Sequence, residues 1–184
     1  MTTICIASGE SLTQKDVDYC KGKGEVYVVS DVYKLAPWAD VLYSADEQWW
    51  DYHEGAQSFK GEKWTCSLPA SQKYDLNYIK YNAQAIWSYD DDVIATGGNS
   101  GFQCLNLAEL HGADRIILLG YDMGYTHKKH FFGEHPARIS TNSNYDDWLR
   151  RLKKAKPFIK AEVINCTVSS RIDFFEKANL RDVI

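Results

Sequence analysis

Five short polar segments carry most of the side chains that could do chemistry: Ser8-Gly9-Glu10-Ser11, Ser30-Asp31, Ser44-Ala45-Asp46, Gly97-Gly98-Asn99-Ser100-Gly101 and Gly120-Tyr121-Asp122-Met123-Gly124. Glycine lets backbone come close to a ligand, and a small-residue turn that opens a helix offers N–H groups at a positive terminus. That combination suits a phosphate or another anion. Each turn taken alone is also what an ordinary strand-to-helix junction requires, so the weight lies in their coincidence. His127, His130 and His135 follow the last of them. An imidazole titrates near neutrality and serves as a general acid or base, while surface decoration is the alternative. The histidines have no carboxylate or cysteine partner at metal spacing, so no metal is expected. Trp49, Trp50, Tyr121 and Tyr125 are candidates for stacking on a base or sugar, or simply for packing.

These turns need elements to hold them, and the apolar pattern supplies those elements. Ile4-Cys5-Ile6-Ala7, Val26-Tyr27-Val28-Val29, Val41-Leu42-Tyr43, Ile116-Ile117-Leu118-Leu119 and Val163-Ile164 are continuous apolar runs. A strand that is apolar on both faces belongs in a parallel sheet covered by helices. Thr13 to Cys20 reads as a helix with Thr13 as its cap and Asp16 in the first turn. Ser100 to His111 reads as a longer helix stopped by Gly112. Strands alternating with helices predict an α/β, three-layer, Rossmann-like doubly wound fold with a mainly parallel sheet. In such a sheet ligands sit outside the carboxyl ends of the strands, where all five polar turns fall, and Asp31 stands where these folds often hold a ribose hydroxyl. The stretch from about Asp51 to Asp92 has no clear period and is expected to form short strands and loops. Gly124 to Asn144 is polar and aromatic, and a connection of that length is expected to act as a lid.

The 184 residues predict one domain, with 45% hydrophobic and 25% charged residues in the balance of an ordinary globular protein. No apolar run approaches the ~20 residues that a membrane span needs, and no secretory signal precedes the first strand, so a cytoplasmic location is expected, that of the host if the chain is phage-encoded. Five widely spaced cysteines without a C-x-x-C pair fit reduced core positions. A net charge of −4 argues against nucleic acid as a partner. The basic run Arg150-Arg151-Leu152-Lys153-Lys154-Ala155-Lys156 reads as the solvated face of an amphipathic helix rather than a phosphate patch. The first turn lacks G-x-G-x-x-G spacing and no G-x-x-x-x-G-K-[ST] is present, which disfavours NAD binding and P-loop ATP hydrolysis. The expected partner is a small nucleotide or nucleotide sugar, with room for a homo-oligomer.

Four segments carry a family resemblance: Ile6-Ala7-Ser8-Gly9-Glu10-Ser11-Leu12, Val29-Ser30-Asp31-Val32-Tyr33, Asn99-Ser100-Gly101 and Leu119-Gly120-Tyr121-Asp122. In order and spacing the chain resembles bacterial sialyltransferases that use CMP-sialic acid. It is also similar to the related Rossmann-like domains of flagellin-modification accessory proteins, and over most of its length to small uncharacterised phage proteins. The resemblance implies nucleotide binding by Ser8, Gly9, Asp31, Ser100 and Gly101, joined by Asp122 in the last turn, with His135 as the nearest candidate for a catalytic histidine. It implies a small, metal-independent glycosyltransferase that takes a CMP-sugar or another nucleotide-sugar donor and no separate cofactor. The alternatives are a non-catalytic phage accessory protein that binds or sequesters a nucleotide-derived ligand, and an assembly protein with an empty crevice. This sequence departs from the usual Gly-Asn-Gly-Pro-Ser turn: Ser8 replaces the asparagine and Glu10 the proline. Asp31 stands where an asparagine is usual. Ser8, Gly9, Asp31, Ser100 and Asp122 are therefore expected on one concave surface.

Overall fold

Strand β1 (Thr2–Ile6) lies at the centre of an eight-stranded sheet, and the chain builds outward from it in both directions. A computed structural model describes residues 1–139 and 143–184. On one side of β1 the strands follow in chain order as β2 (Glu25–Val29), β3 (Val41–Tyr43), β4 (Glu62–Thr65) and β5 (Asn77–Tyr78). A separate two-stranded sheet pairs β6 (Lys80–Asn82) with β7 (Val93–Ala95). The chain then returns to the other side of β1 as β8 (Arg115–Leu119), followed by β9 (Glu162–Asn165) and β10 (Glu176–Lys177). Every pairing between these strands is parallel. This is the Rossmann-like doubly wound layout, and the strand order reverses between β1 and β8.

Alternation along each strand divides the core into two apolar layers. Ile4, Ile6, Val26, Val28, Leu42, Ile117 and Leu119 face one side. Cys5, Tyr27, Val41, Tyr43, Ile116 and Leu118 face the other. The first layer is covered by α1 (Gln14–Tyr19), α2 (Glu47–Tyr52), α3 (Leu68–Tyr74) and α6 (Leu180–Val183) through Val17, Trp49, Trp50, Ala70 and Leu180. The second is covered by α4 (Ser100–Leu110) and α5 (Tyr145–Ala155). All five cysteines are free thiols, and only Cys66 is not fully buried.

α4 matters most for the site. Gly101 to Ala108 are buried without interruption, because the helix is enclosed by the sheet, by β7 and by α5. A helix buried on every side over this stretch has no solvent face to keep, and its polar residues need partners within the protein. The fully buried Asn106 ties it down, accepting from Ala95 N–H at 3.0 Å and donating to the Ser88 carbonyl at 3.0 Å. Asn99 caps it by accepting from Phe102 N–H at 2.9 Å. α1 begins at the expected cap, with Thr13 accepting from Asp16 N–H at 3.2 Å. α5 is amphipathic: Leu152 and Ala155 face the core, and the basic residues lie outward, with Arg151 on Asp147 at 2.6 Å.

The structure adds two helices in the region expected to hold only short strands and loops, or just before it: α2 and α3. Both are short, and α3 bends in behind a Ser67 cap with Pro69 in its first turn. Their stability comes from burying Trp49, Trp50 and Ala70 against the sheet, which a local pattern does not reveal.

Candidate functional site

A cavity of about 470 Å³ opens at the carboxyl ends of the central strands, where the strand order reverses. It is lined by Ser8 and Gly9 after β1, Ser30 after β2, Asp46 after β3, Gly98 to Gly101 at the start of α4, and Gly120 to Gly124 after β8. The lid contributes Lys129, His130, Glu134 and His135, and α5 contributes Tyr145 and Trp148.

Local chemistry explains how the floor is built. Gly9 lies flush against the last turn: a Cβ there would stand 1.8 Å from Asp122 Oδ2 and 2.5 Å from the Gly120 carbonyl. Gly120 sits at φ +71, and its Cβ would meet the Ala7 carbonyl at 2.1 Å. Both positions exclude any larger residue. Asp122, only 4% exposed, accepts from the Ser11 N–H at 3.1 Å and the Ser11 hydroxyl at 3.0 Å. Burial raises its pKa against those two bonds. Asp122 therefore clasps the first turn to the last while lining the cavity.

At the start of α4, Asn99 takes up the Phe102 N–H, and the amides of Ser100 and Gly101 have no acceptor within the helix, as at any helix start. Both residues line the cavity at the positive end of an 11-residue helix. Ser100 Oγ accepts from Ala45 N–H at 3.2 Å and keeps its own proton free to donate. Behind them Gln103 is held by the Tyr43 hydroxyl at 3.0 Å, and Tyr121 donates to the Gly101 carbonyl at 3.0 Å.

Five of the sequence-derived nucleotide residues, Ser8, Gly9, Ser100, Gly101 and Asp122, meet at this cavity, and so does His135. Asp31 is not among the lining residues. It turns inward, 4% exposed, and accepts from Trp49 Nε1 at 2.9 Å. It also pairs with Lys34, with His53 Nε2 at 3.4 Å and with His135 Nδ1 at 3.7 Å. Burial alone would raise its pKa, but His53, Lys34 and the Trp49 N–H outweigh that and hold the carboxyl well below the usual range. The neighbouring Ser30, at φ +49, faces the cavity in its place. Trp49 and Trp50 are packing residues, both buried, with Trp50 Nε1 on the Ser44 carbonyl at 3.0 Å.

The lid folds down over this floor. Ser8 Oγ lies 3.0 Å from His130 Nδ1, and the Phe131 N–H donates to the Ser8 carbonyl at 3.1 Å. His130 stacks on Phe132 with centroids 5.0 Å apart and meets His135 at 4.7 Å. Burial, with His135 beside it, lowers the His130 pKa to about 4, so this ring is neutral at physiological pH. Burial likewise lowers His135, opposed by Asp31. Asp46 opposite is raised by burial. Residues 140–142 of the expected lid lie outside the described residues.

Sequence reading missed Lys129, Glu134, Tyr145 and Trp148. Trp148 had a signal in the apolar stripe it forms with Leu149, Leu152 and Ala155, but nothing in that stripe tells which end reaches the cavity. Tyr145 and Trp148 pack edge to face at 5.2 Å, and Trp148 closes over Gly98, where a Cβ would stand 3.1 Å from Trp148 Cδ1. Among the described residues, no group of three or more His, Cys, Asp or Glu side chains is placed to hold a metal ion. No described helix is long and apolar enough to cross a membrane.

A glycine-rich floor, a helix terminus and a histidine-bearing loop meet at the switch point of a doubly wound α/β sheet, the place where such folds offer a candidate ligand site. The solved MAf glycosyltransferase from Magnetospirillum magneticum AMB-1 shares this fold, with a TM-score of 0.71 and 10% sequence identity. The match covers 100% of this chain and 34% of that one, so the chain spans about a third of its structural neighbour. No protein-family model and no curated protein sequence matches the chain.

Proposed function

We propose that this chain binds a nucleotide or nucleotide sugar and acts as a metal-independent glycosyltransferase of sialyltransferase-like type. The observation that carries the reading is the meeting of the two glycine-rich turns, the start of α4 and the two lid histidines at one cavity. The anionic part of the ligand would rest on the amides of Ser100 and Gly101 and on the first turn, where a helix terminus favours negative charge. The base or sugar would lie against Trp148 and Tyr145. His135, whose pKa burial lowers, would accept the proton of an acceptor hydroxyl as that oxygen bonds to the sugar's anomeric carbon and the bond from that carbon to the nucleotide phosphate breaks, the nucleotide leaving with the electron pair. Asp31 would hold that imidazole in orientation and stabilise its protonated form rather than touch the ligand. The fold shared with the MAf glycosyltransferase supports the reading at the level of architecture.

A specific observation favours the second reading, a non-catalytic protein that sequesters a nucleotide-derived ligand, such as the phage resemblance implies. Among the described lining residues Lys129 alone bears an amine or guanidinium, and Glu134 takes it up at 3.5 Å. Asp46 and Asp122 add carboxylates. Among these described residues no free cation is left to stabilise a departing nucleotide. The two readings separate in one experiment: thermal shift against a panel of nucleotides and sugar nucleotides, followed by product analysis on those that raise the Tm. Stabilisation by CMP or a CMP-sugar with release of CMP supports the enzyme. Stabilisation without product supports the binder, and no shift with any nucleotide removes both.

A further inference from the structure

Glu10 occupies the place where the sialyltransferase-like turn has proline, and nothing in the site described above uses its side chain. Its carboxylate reaches across to the lid. A single oxygen, Oε2, accepts from three successive backbone amides: Thr126 at 3.0 Å, His127 at 3.1 Å and Lys128 at 3.0 Å. Consecutive N–H groups turned to one side form a concavity suited to an anion, and here a side chain fills it. Hydrogen bonds to an ionised acceptor are roughly twice as strong as neutral ones. The amides of Lys128 and His127 lower the Glu10 pKa, which keeps the acceptor charged.

The same turn holds the lid a second time a few residues on, where Phe131 N–H meets the Ser8 carbonyl and His130 meets the Ser8 hydroxyl. Between the two holds the loop closes on itself, with Lys128 Nζ on the Phe131 carbonyl at 2.6 Å. The segment that carries His130 and leads to His135 is thus tied to the β1 turn at both ends of a short span.

We propose that Glu10 is a positioning residue that grips the lid backbone at Thr126–Lys128 and thereby sets His130 and His135 over the cavity. Proline, which the resembled turn carries at this place, offers no carboxylate for such a clasp. The consequence for catalysis rests on the reading of the cavity as a nucleotide site. The clasp itself does not.

The test uses the full chain and three measurements on wild type, Glu10→Ala and Glu10→Gln. Histidine titration by NMR reports the lid directly, because burial holds His130 down at about 4. In Glu10→Ala the Tm stays near that of wild type, the His130 pKa rises by about one unit or more as the ring gains water, and protease cleavage between residues 124 and 135 speeds up by about tenfold. Glu10→Gln, which keeps an oxygen acceptor, falls between the two. An unchanged His130 titration with unchanged cleavage in folded Glu10→Ala overturns the proposal. If Glu10→Ala does not fold, Glu10→Gln decides by the same two readouts. CMP binding is the third measurement: a weakened affinity in Glu10→Ala extends the clasp to ligand binding. Absence of CMP binding by the wild type counts against the nucleotide reading, and the role of Glu10 is then decided by the titration and the cleavage rates alone.

Discussion

The Asp31 carboxylate stands 3.7 Å from the His135 imidazole, Oδ2 to Nδ1, with the acid buried behind the sheet edge and the imidazole facing the cavity. A carboxylate this near a histidine favours the ring's protonated form once a proton arrives. Both residues are expected at the site from sequence, but the structure separates them: His135 lines the cavity and Asp31 lies behind it.

His135→Ala should leave the Tm nearly unchanged and lower any transfer or hydrolysis rate by about 10²–10⁴, the usual worth of a positioned acid or base. Because burial lowers the His135 pKa, the active neutral form persists below the ordinary value of 6.5, so the acid limb of the rate profile should fall below that pH. A large loss of Tm with normal turnover would assign His135 to structure instead.

Asp31→Asn should behave differently, destabilising the fold by about 1–2 kcal/mol because Trp49 Nε1 loses a charged acceptor and the half-exposed Lys34 loses its ion-pair partner. The sign with pH follows from the lowered folded-state pKa. The Asp31 contribution is complete above the ordinary value of 3.8 and is lost as pH falls from there towards the folded value. Urea unfolding of the two proteins should therefore differ most at neutral pH and converge in acid. In the folded variant CMP affinity should change by no more than about threefold, since Asp31 does not line the cavity; a loss of about tenfold would restore it as a ligand contact.

Gly101→Asp places a carboxylate where the ligand anion is expected to meet the start of α4. The added Cβ stands 3.1 Å from Asn99 Oδ1 and 3.2 Å from Tyr121 Cε1, so both neighbours must give by a few tenths of an ångström. CMP binding measured by calorimetry should weaken by about tenfold or more, from charge repulsion at the helix terminus. Equal affinity in a folded variant would move the anion subsite elsewhere.

His130 should make the protein acid-sensitive. Its folded pKa of about 4 lies below the ordinary 6.5, so the unfolded chain binds the proton first and stability is lost as pH falls from 6.5 through about 4. The groups that face this ring are Ser8, His135, Asp31 and Glu134; Ser8 and the two carboxylates favour its charge, and burial with His135 outweighs them. Tm measured across that range should fall more steeply for wild type than for His130→Phe, and parallel curves would contradict the assignment.

The sequence by itself determined the sheet and its polarity. Continuous apolar runs such as Ile116–Leu119 demand burial on both faces, and that demand, with helices between the runs, leaves a parallel doubly wound arrangement as the natural answer. Polar turns at strand ends then fall on one edge by necessity, which is why Ser8, Gly9, Ser100, Gly101 and Asp122 are legible as a group from the sequence. Only the tertiary structure decided the rest. Whether a carboxylate faces ligand or core depends on which way its turn rotates, and the positive φ of Ser30 sends Ser30 to the cavity and Asp31 inward to Trp49 and Lys34. α2 and α3 exist because the sheet offers a surface to Trp49, Trp50 and Ala70, a cause that lies many residues away from the helices themselves. Glu10 and the amides of Thr126–Lys128 are more than a hundred residues apart in sequence, and backbone N–H groups carry no sequence signature. Their meeting follows from β1 and β8 lying side by side, a contact that exists only once the sheet has formed.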